Sequence, residues 1–245
     1  MDIDLHCHAK LSKKSAFNLK HFLKLQQASI KAGLQAIALT EHFNTRGFTE
    51  IYETLENLYH YRDDYYDIGG LKVFCGLEVD VQEGGHVLLI GKRDDVLNLY
   101  KELLPFQAKE NFPSLKHLLT EAGAREMLKI GAHPFRNKIS LSRLSGNLLV
   151  NFDSLELNGK DFRMAPAVLQ LAASLNLPVT AGSDTHHWLQ AGCVRNQLAH
   201  DCSTVNQIKD CIKKGLYQTS ISPWIGLRLT GAGLAKKLLK ELTSA

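Results

Sequence analysis

Short β-like runs alternate with amphipathic helical stretches along almost the whole chain. Seven runs are candidate strands, at residues 3–6, 36–40, 72–78, 86–91, 128–132, 154–157 and 179–181. Between them, apolar residues recur three and four apart at residues 19–32, 51–61, 94–104, 115–122, 166–175 and 205–214. Such alternation favours an α/β fold with a parallel sheet, and about seven units in 245 residues predict a single closed barrel.

The chain shows no linker that would divide it into two domains. No long Pro/Gly/Ser-rich stretch and no repeat is visible, so residues 1–245 are predicted to form one domain, with residues 216–245 as a C-terminal extension. The tail at residues 230–245 combines evenly spaced Ala and Leu with lysines. This pattern predicts an amphipathic helix that packs on the bottom or edge of the barrel.

Composition narrows the class of protein. With 44% hydrophobic and 22% charged residues, the chain has the composition of an ordinary globular protein. It has no apolar run near the ~20 residues that span a bilayer and no secretory pattern at its start. The five cysteines show no framework spacing, so we expect a cytoplasmic protein with reduced thiols and no membrane contact. The net charge of +4 fits an anionic substrate.

Histidines and acidic residues cluster in and just after the predicted strands. They are His6, His8, His42, Glu78, His86, His133, Asp184 and His186. Residues two apart in a strand point to one face, so the HxH and DxH motifs each direct two side chains at one place. Because the carboxyl ends of barrel strands meet at one rim, we expect these side chains to converge there.

Six imidazoles and two carboxylates are more ligands than one ion takes. We therefore predict two to three divalent metal ions, and the imidazole-rich set favours Zn, Mn or Fe. Two ions roughly 3.5–4 Å apart can clamp a phosphate and lower the pKa of a water molecule. The sequence thus predicts hydrolysis by a metal-activated hydroxide.

The segments DLHCH, ALTEH, GLEVD, HVLLIG, GAHPF and AGSDTHH follow one another in this order. Together they resemble the PHP (polymerase and histidinol phosphatase) domain family, over essentially residues 1–215. The resemblance implies a distorted (β/α)7 TIM-like barrel with up to three metal ions at its rim. It also implies a ligand set: a first ion held by His6, His8, Glu78 and Asp184, a second by Glu78, His86 and His133, and a third near His42 and His186.

The chain departs from the family pattern at one point. The family has an acidic residue or histidine a few positions after the HxH pair, whereas residues 9–17 contain neither. We therefore expect a centre that is at least dinuclear. The third ion would be absent, weakly held, or completed by Glu41 or water, or else the ammonium of Lys13 or Lys14 would stand in its place.

Basic residues near the predicted rim are candidates for phosphate contact. Arg136 follows the GAHPF segment and is our first choice for a phosphate clamp, because a guanidinium binds phosphate through paired N–H groups. The predicted substrate-binding set is Arg136, Lys13, Lys14, Lys160 and Arg163, with Lys10 and Arg195 also placed near the rim. The predicted catalytic residues are Glu78, Asp184 and Arg136, with Glu156 in support or touching the substrate.

The leading hypothesis is a metal-dependent phosphoesterase that hydrolyses a small phosphomonoester, with histidinol phosphate-like or nucleotide substrates. One alternative is an exonuclease or phosphodiesterase on nucleic-acid ends, which the absence of an appended nucleic-acid module disfavours. Another is an amidohydrolase-like barrel, which also begins with HxH. The last is a non-catalytic metal-binding domain. The oligomeric state and the native metal stay open.

Overall fold

The computed structural model describes residues 1–136 and 140–243, with side chains described through residue 237. Its strands are β1 (Asp2–Cys7), β2 (Ala36–His42), β3 (Tyr61–Arg62), β4 (Tyr65–Ile68), β5 (Leu71–Asp80), β6 (His86–Gly91), β7 (Leu128–Ala132), β8 (Ser154–Asn158), β9 (Val179–Gly182), β10 (Val194–Leu198) and β11 (Tyr217–Ile221). Its α-helices are α1 (Leu19–Lys31), α2 (Phe48–Leu58), α3 (Arg93–Leu103), α4 (Leu115–Ala124), α5 (Gly146–Leu149), α6 (Ala165–Leu175), α7 (Val205–Lys213) and α8 (Ile225–Thr243).

The sheet curls into a nearly closed barrel whose order is β1-β2-β5-β6-β7-β8-β9. Each of these strands contains one of the seven runs predicted from the sequence. The predicted distorted (β/α)7 TIM-like barrel is therefore confirmed. Within the part of the chain that the structure describes, no helix is both long and apolar enough to cross a membrane.

One barrel strand runs antiparallel to its neighbours, so the expectation of a parallel sheet was wrong for this strand. Strand β6 is antiparallel to both β5 and β7. The reason is the short connection between Asp80 and His86, in which Gly84 and Gly85 have φ values of +92° and +101°. A link of this length closes a hairpin, whereas a parallel strand needs a crossover of a dozen or more residues.

Four further strands were not predicted. The short β3 and β4 form a hairpin on β5, and β10 and β11 form an antiparallel pair that attaches to the start of β1. Strand β11 is largely exposed and polar, so it has little of the apolar alternation that identifies strands in a sequence. Helix α8 begins at Ile225, before the predicted start of the tail helix, and contacts the turn at Trp188–Gln190. The last two residues of the predicted tail lie outside the described residues.

Two apolar layers surround the sheet. Leu5, Phe74 and Leu88 belong to a cluster inside the barrel, which also contains Ile208 and Ile212 of α7. A larger cluster lies between the outer face of the sheet and the surrounding helices. Helix α7 thus closes one end of the barrel with apolar side chains, and the polar strand ends face the other end.

The seam between β1 and β9 is closed by side chains rather than by a full strand ladder. Only an isolated bridge joins the two backbones, with His8 N donating to Thr185 O at 2.9 Å. Two buried side chains connect the strands elsewhere: Asp4 Oδ1 accepts from Ser183 N at 3.0 Å, and the amide of Asn196 lies between β1 and β9. Its Nδ2 donates to Ile3 O at 3.2 Å and Ala181 O at 2.8 Å, and its Oδ1 accepts from Ala181 N at 2.7 Å.

We expect Asn196→Ala to lower the free energy of unfolding by about 3 kcal/mol, because it removes three hydrogen bonds to buried backbone groups. Urea denaturation followed by circular dichroism measures the change. The control is Asn206→Ala on the exposed face of α7, which should shift stability by less than about 0.5 kcal/mol. Equal effects of the two substitutions would show that the seam does not depend on Asn196.

Candidate metal centre

The structure brings all eight predicted ligands together at one end of the barrel. They form three groups in which the candidate ligand atoms lie within 4.8 Å of one another. The groups are His6/His8/Asp184, Glu78/His86/His133 and His8/His42/His186. His8 is shared by two groups, an arrangement that the sequence did not predict. The roles of these residues as ligands stay predictions.

Two irregularities of the backbone place His6, His8 and His86 at this rim. The pairing of β1 with β2 shifts register between Asp4 and Cys7, so Leu5 belongs to the barrel interior whereas Cys7 belongs to the outer layer. Such a bulge changes the face to which the following side chains point. The second irregularity is the reversal of β6, which places His86 at the rim from the amino end of its strand, not from the carboxyl end as the parallel arrangement implied.

Glu78 occupies the middle of the centre and is almost fully buried. Its Oε1 lies 2.6 Å from His86 Nδ1 and 3.1 Å from His133 Nε2, and its Oε2 lies 2.8 Å from His42 Nδ1. Oε2 also lies 3.4 Å from His8 Nε2. Burial by itself raises a carboxyl pKa, but the neighbouring imidazoles, chiefly those of His42 and His86, outweigh it and hold the pKa of Glu78 well below its ordinary value.

Three carboxylates outside the eight predicted ligands contact the histidines on the side away from the centre, and one of them, Glu41, was considered as a further group for the third ion. Glu156 Oε1 lies 2.7 Å from His6 Nδ1, and its Oε2 accepts from the backbone N of His133 at 2.8 Å. Glu41 Oε1 lies 3.3 Å from His8 Nδ1. In both histidines Nδ1 faces a carboxylate, so a proton on Nδ1 leaves the lone pair of Nε2 for the centre.

The third carboxylate, Asp80, has the same relation to His86, with the ring nitrogens exchanged. Asp80 Oδ1 lies 3.0 Å from His86 Nε2, which leaves Nδ1 facing Glu78. The Lys13 ammonium lies 2.9 Å from Asp80 Oδ2. Burial raises the pKa of Asp80, but His86 and Lys13 together lower it to about 2. Sequence analysis missed Asp80, although its position two residues after Glu78 on one strand was a usable signal.

Asp184 differs from Glu78 because the cationic side chains of Arg136 and Lys160 contact it. Arg136 Nη1 donates to Asp184 Oδ2 at 2.6 Å, and Lys160 Nζ lies 2.8 Å from Oδ1. Burial acts to raise the pKa of Asp184, but Lys160 and His6 hold it well below its ordinary value. Arg136 is anchored further by Asp161 Oδ2 at 2.6 Å and Asn158 Oδ1 at 2.7 Å.

Two of the candidate ligands have an unusual backbone conformation, and a glycine near one of them allows a close approach of strands. His133 and Asp184 have φ values of +28° and +53°, a region that residues other than glycine rarely adopt. Gly182 precedes Asp184 by two residues, and a Cβ there would collide with Glu156 Oε1 and with the Cβ of His6. The AGSDTHH segment therefore needs glycine at this position so that β9 can approach the His6–Glu156 pair.

The other predicted basic residues take different positions. Lys13 pairs with Asp80 beside His86, and Lys14 is exposed. Arg163 is exposed, with its guanidinium 5.7 Å from the centre of the Phe162 ring. Lys10 lies two residues after His8, but its buried ammonium donates to Thr45 Oγ1 at 2.8 Å and to Arg46 O at 2.5 Å. The placement of Arg195 was wrong, because it pairs with Asp2 at the far end of β1.

The donor set fits divalent cations. Glu78 Oε2 and His42 Nδ1 are buried without a hydrogen bond of acceptable geometry, although they lie 2.8 Å apart. Buried carboxylates are normally paired or bound to a metal, and here the surrounding groups are imidazoles, the commonest metal ligands. Imidazole and carboxylate donors together suit Zn, Mn or Fe.

Solved structures of similar shape come from several proteins. PsfC from Pseudomonas syringae PB-5123 has a TM-score of 0.81 and 20% identity, over 97% of this chain and 98% of that chain. Endonuclease Q from Pyrococcus furiosus has a TM-score of 0.66 and 22% identity, over 90% of this chain but 57% of its own. At such identities the likeness concerns the fold alone.

A third structure is a two-domain protein from Bacteroides vulgatus ATCC 8482 that contains a predicted PHP-like metal-dependent phosphoesterase. It has a TM-score of 0.58 and 17% identity, over 90% of this chain and 64% of that chain. A comparison with curated protein sequences gives no significant match. The family model of the PHP domain matches residues 4–154, which is more than half of the chain. The chain therefore belongs to the PHP domain family.

Proposed function

We propose that this protein is a metal-dependent phosphoesterase that hydrolyses a small phosphomonoester. The observation that carries the proposal is the placement of Glu78, whose two oxygens face different groups of histidines beside the cationic Arg136 and Lys160. A carboxylate in that position can be shared by two ions, and adjacent cations suit a phosphoryl group. The predicted phosphoesterase activity of the Bacteroides vulgatus protein agrees with this chemistry.

Two to three divalent ions, with Zn, Mn and Fe as candidates, would be held by the three groups of ligands described above. Bound there, they would lower the pKa of a water molecule for attack on phosphorus and offset the charge of the phosphoryl oxygens. The protein contributes the orientation of the ligands. Glu156, Glu41 and Asp80 each face one ring nitrogen of a histidine, so the other ring nitrogen is aimed at the centre.

Arg136 is the residue best placed to bind the phosphate. Three of its five N–H groups are used by Asp161, Asp184 and Asn158, so one N–H on each Nη atom remains for a ligand. The anchored guanidinium needs little rearrangement to bind phosphoryl oxygens. Lys160 adds a second positive charge within 2.8 Å of Asp184.

The alternatives differ in the substrate that they require. A nuclease would act on phosphodiesters, and the likeness to endonuclease Q keeps this open. That likeness covers little more than half of the endonuclease Q chain and gives no substrate contact here. A non-catalytic domain would bind metal without turnover, whereas an amidohydrolase would cleave amides. Arg136 and Lys160 beside the carboxylates favour the phosphate ester.

With Mn²⁺, Zn²⁺ or Fe²⁺ supplied, the protein should release phosphate from p-nitrophenyl phosphate faster than it cleaves bis(p-nitrophenyl) phosphate or a labelled oligonucleotide. Glu78→Gln and Asp184→Asn should each lower kcat/KM by roughly 100-fold or more, because each removes a charged ligand. His60→Ala, an exposed imidazole away from the centre, is the matched control. Faster cleavage of either diester would favour the nuclease.

Arg136→Lys should lower kcat/KM for p-nitrophenyl phosphate by about 10- to 100-fold, because it keeps the charge but loses the planar array of N–H groups. Arg62→Lys, at an exposed position on β3, should leave the rate unchanged. A wild-type rate in Arg136→Lys would remove this residue from substrate binding.

Glu156→Gln should weaken metal affinity by about 10- to 100-fold, since the amide orients His6 less strongly than the carboxylate. Metal titration of the chelator-treated protein, read by calorimetry and by the rise in Tm on loading, measures the effect. Glu53→Gln on the exposed face of α2 is the control. Unchanged affinity in Glu156→Gln would mean that His6 is oriented without Glu156.

A further inference from the structure

A cavity of about 620 Å³ lies between the loop after β1, the start of α1 and the turn that contains Trp188. The polar side chains on its wall include Ser12, Asn18, Lys20, His21 and Lys24, with the indole of Trp188 beside them. This volume lies within the range of about 300–1,000 Å³ that is usual for small-molecule sites. The wall includes Lys10, but none of the eight candidate ligands and neither Arg136 nor Lys160.

The cavity adjoins the metal centre. Ala9 on its wall follows His8 directly, and His21 Nε2 lies 3.1 Å from the carbonyl oxygen of His186. The Trp188 ring packs on that of His187, with 4.6 Å between ring centres. A molecule whose phosphate lay at the centre could therefore extend its leaving group along the loop after β1.

The charge of the wall is of one sign. Of the described residues that line the cavity, none is Asp or Glu. Lys20 and Lys24 are exposed and lie one helical turn apart on α1, so they share a face. Lys10 adds a third ammonium, which is bound to neutral oxygens of Lys13, Thr45 and Arg46. An anionic group would be attracted here without meeting a carboxylate.

We propose that this cavity binds the leaving-group side of the substrate, and that this side carries a second anionic group on a flat ring that contacts Trp188. The inference rests on the proposed phosphomonoesterase function and gives it a substrate class: a phosphate ester of an acidic aromatic or heteroaromatic alcohol. Lys20 and Lys24 bind the second anion, and the indole contacts the ring. A cavity of this size with two exposed lysines favours a small molecule over a nucleic-acid strand, which needs a longer basic track.

The first experiment compares 4-carboxyphenyl phosphate with phenyl phosphate on the metal-loaded protein. We expect kcat/KM to be about tenfold higher for the carboxylated ester, and the Lys20→Ala/Lys24→Ala double variant to bring this ratio close to one. Lys31→Ala removes a charge from the other end of α1 and should keep the ratio. A ratio near one in the unmodified protein, or an unchanged ratio in the double variant, overturns the proposal.

The second experiment does not depend on turnover, so it separates failure of this inference from failure of the proposed function. The chain has two tryptophans, and replacing the exposed one with Trp224→Phe makes Trp188 the fluorescent reporter. Benzoate should quench Trp188 saturably, benzyl alcohol should bind about tenfold more weakly, and the lysine double variant should lose the difference. Equal binding of the two probes overturns the proposal, as does quenching by a 5′-phosphorylated oligonucleotide but not by benzoate.

Discussion

Glu78 carries its charge inside the barrel, where an unpaired carboxylate costs several kcal/mol in lost hydration. Imidazoles from four other strand ends approach it, those of His8, His42, His86 and His133. The low pKa of Glu78 keeps this charge in place, so the neighbourhood has to supply positive charge as protons on histidine or as bound cations. The histidines around Glu78 can supply this charge, either as protonated rings or as ligands of cations.

Deviations of the backbone from a regular barrel place the histidines around Glu78. The register shift in β1 turns His6 and His8 inward above the apolar Leu5, and the reversed β6 brings His86 to the rim from its amino end. The left-handed backbone of His133 and Asp184 completes the set. Such strain persists where the surrounding structure enforces it, and here the polar seam around Asn196 holds β1 against β9.

The strands and ligands could be predicted because their signals are local. Short apolar runs identify the seven barrel strands, and the eight converging side chains lie within or just after these runs. The direction of β6 was missed because periodicity carries no direction, although the two glycines before His86 were a hairpin signal. The positions of Lys10 and Arg195 could not be predicted, because a long flexible side chain chooses its partner only in the folded structure.

Asp184 and Glu78 have different positively charged neighbours. A cation that binds the centre therefore displaces a different group at each of these carboxylates. Beside Glu78, the carboxylates of Glu78 and Asp80 outweigh burial and raise the pKa of His86 to about 9, so a cation that binds this ring displaces its proton. The charge of Asp184 is balanced by Arg136 and Lys160, and a cation that binds Asp184 must compete with these two side chains. Arg136 is held by Asp161 and Asn158, whereas the Lys160 side chain is 34% exposed. Lys160 is therefore the group that can leave Asp184 when a cation binds this carboxylate, and its ammonium is then free to contact a phosphoryl group.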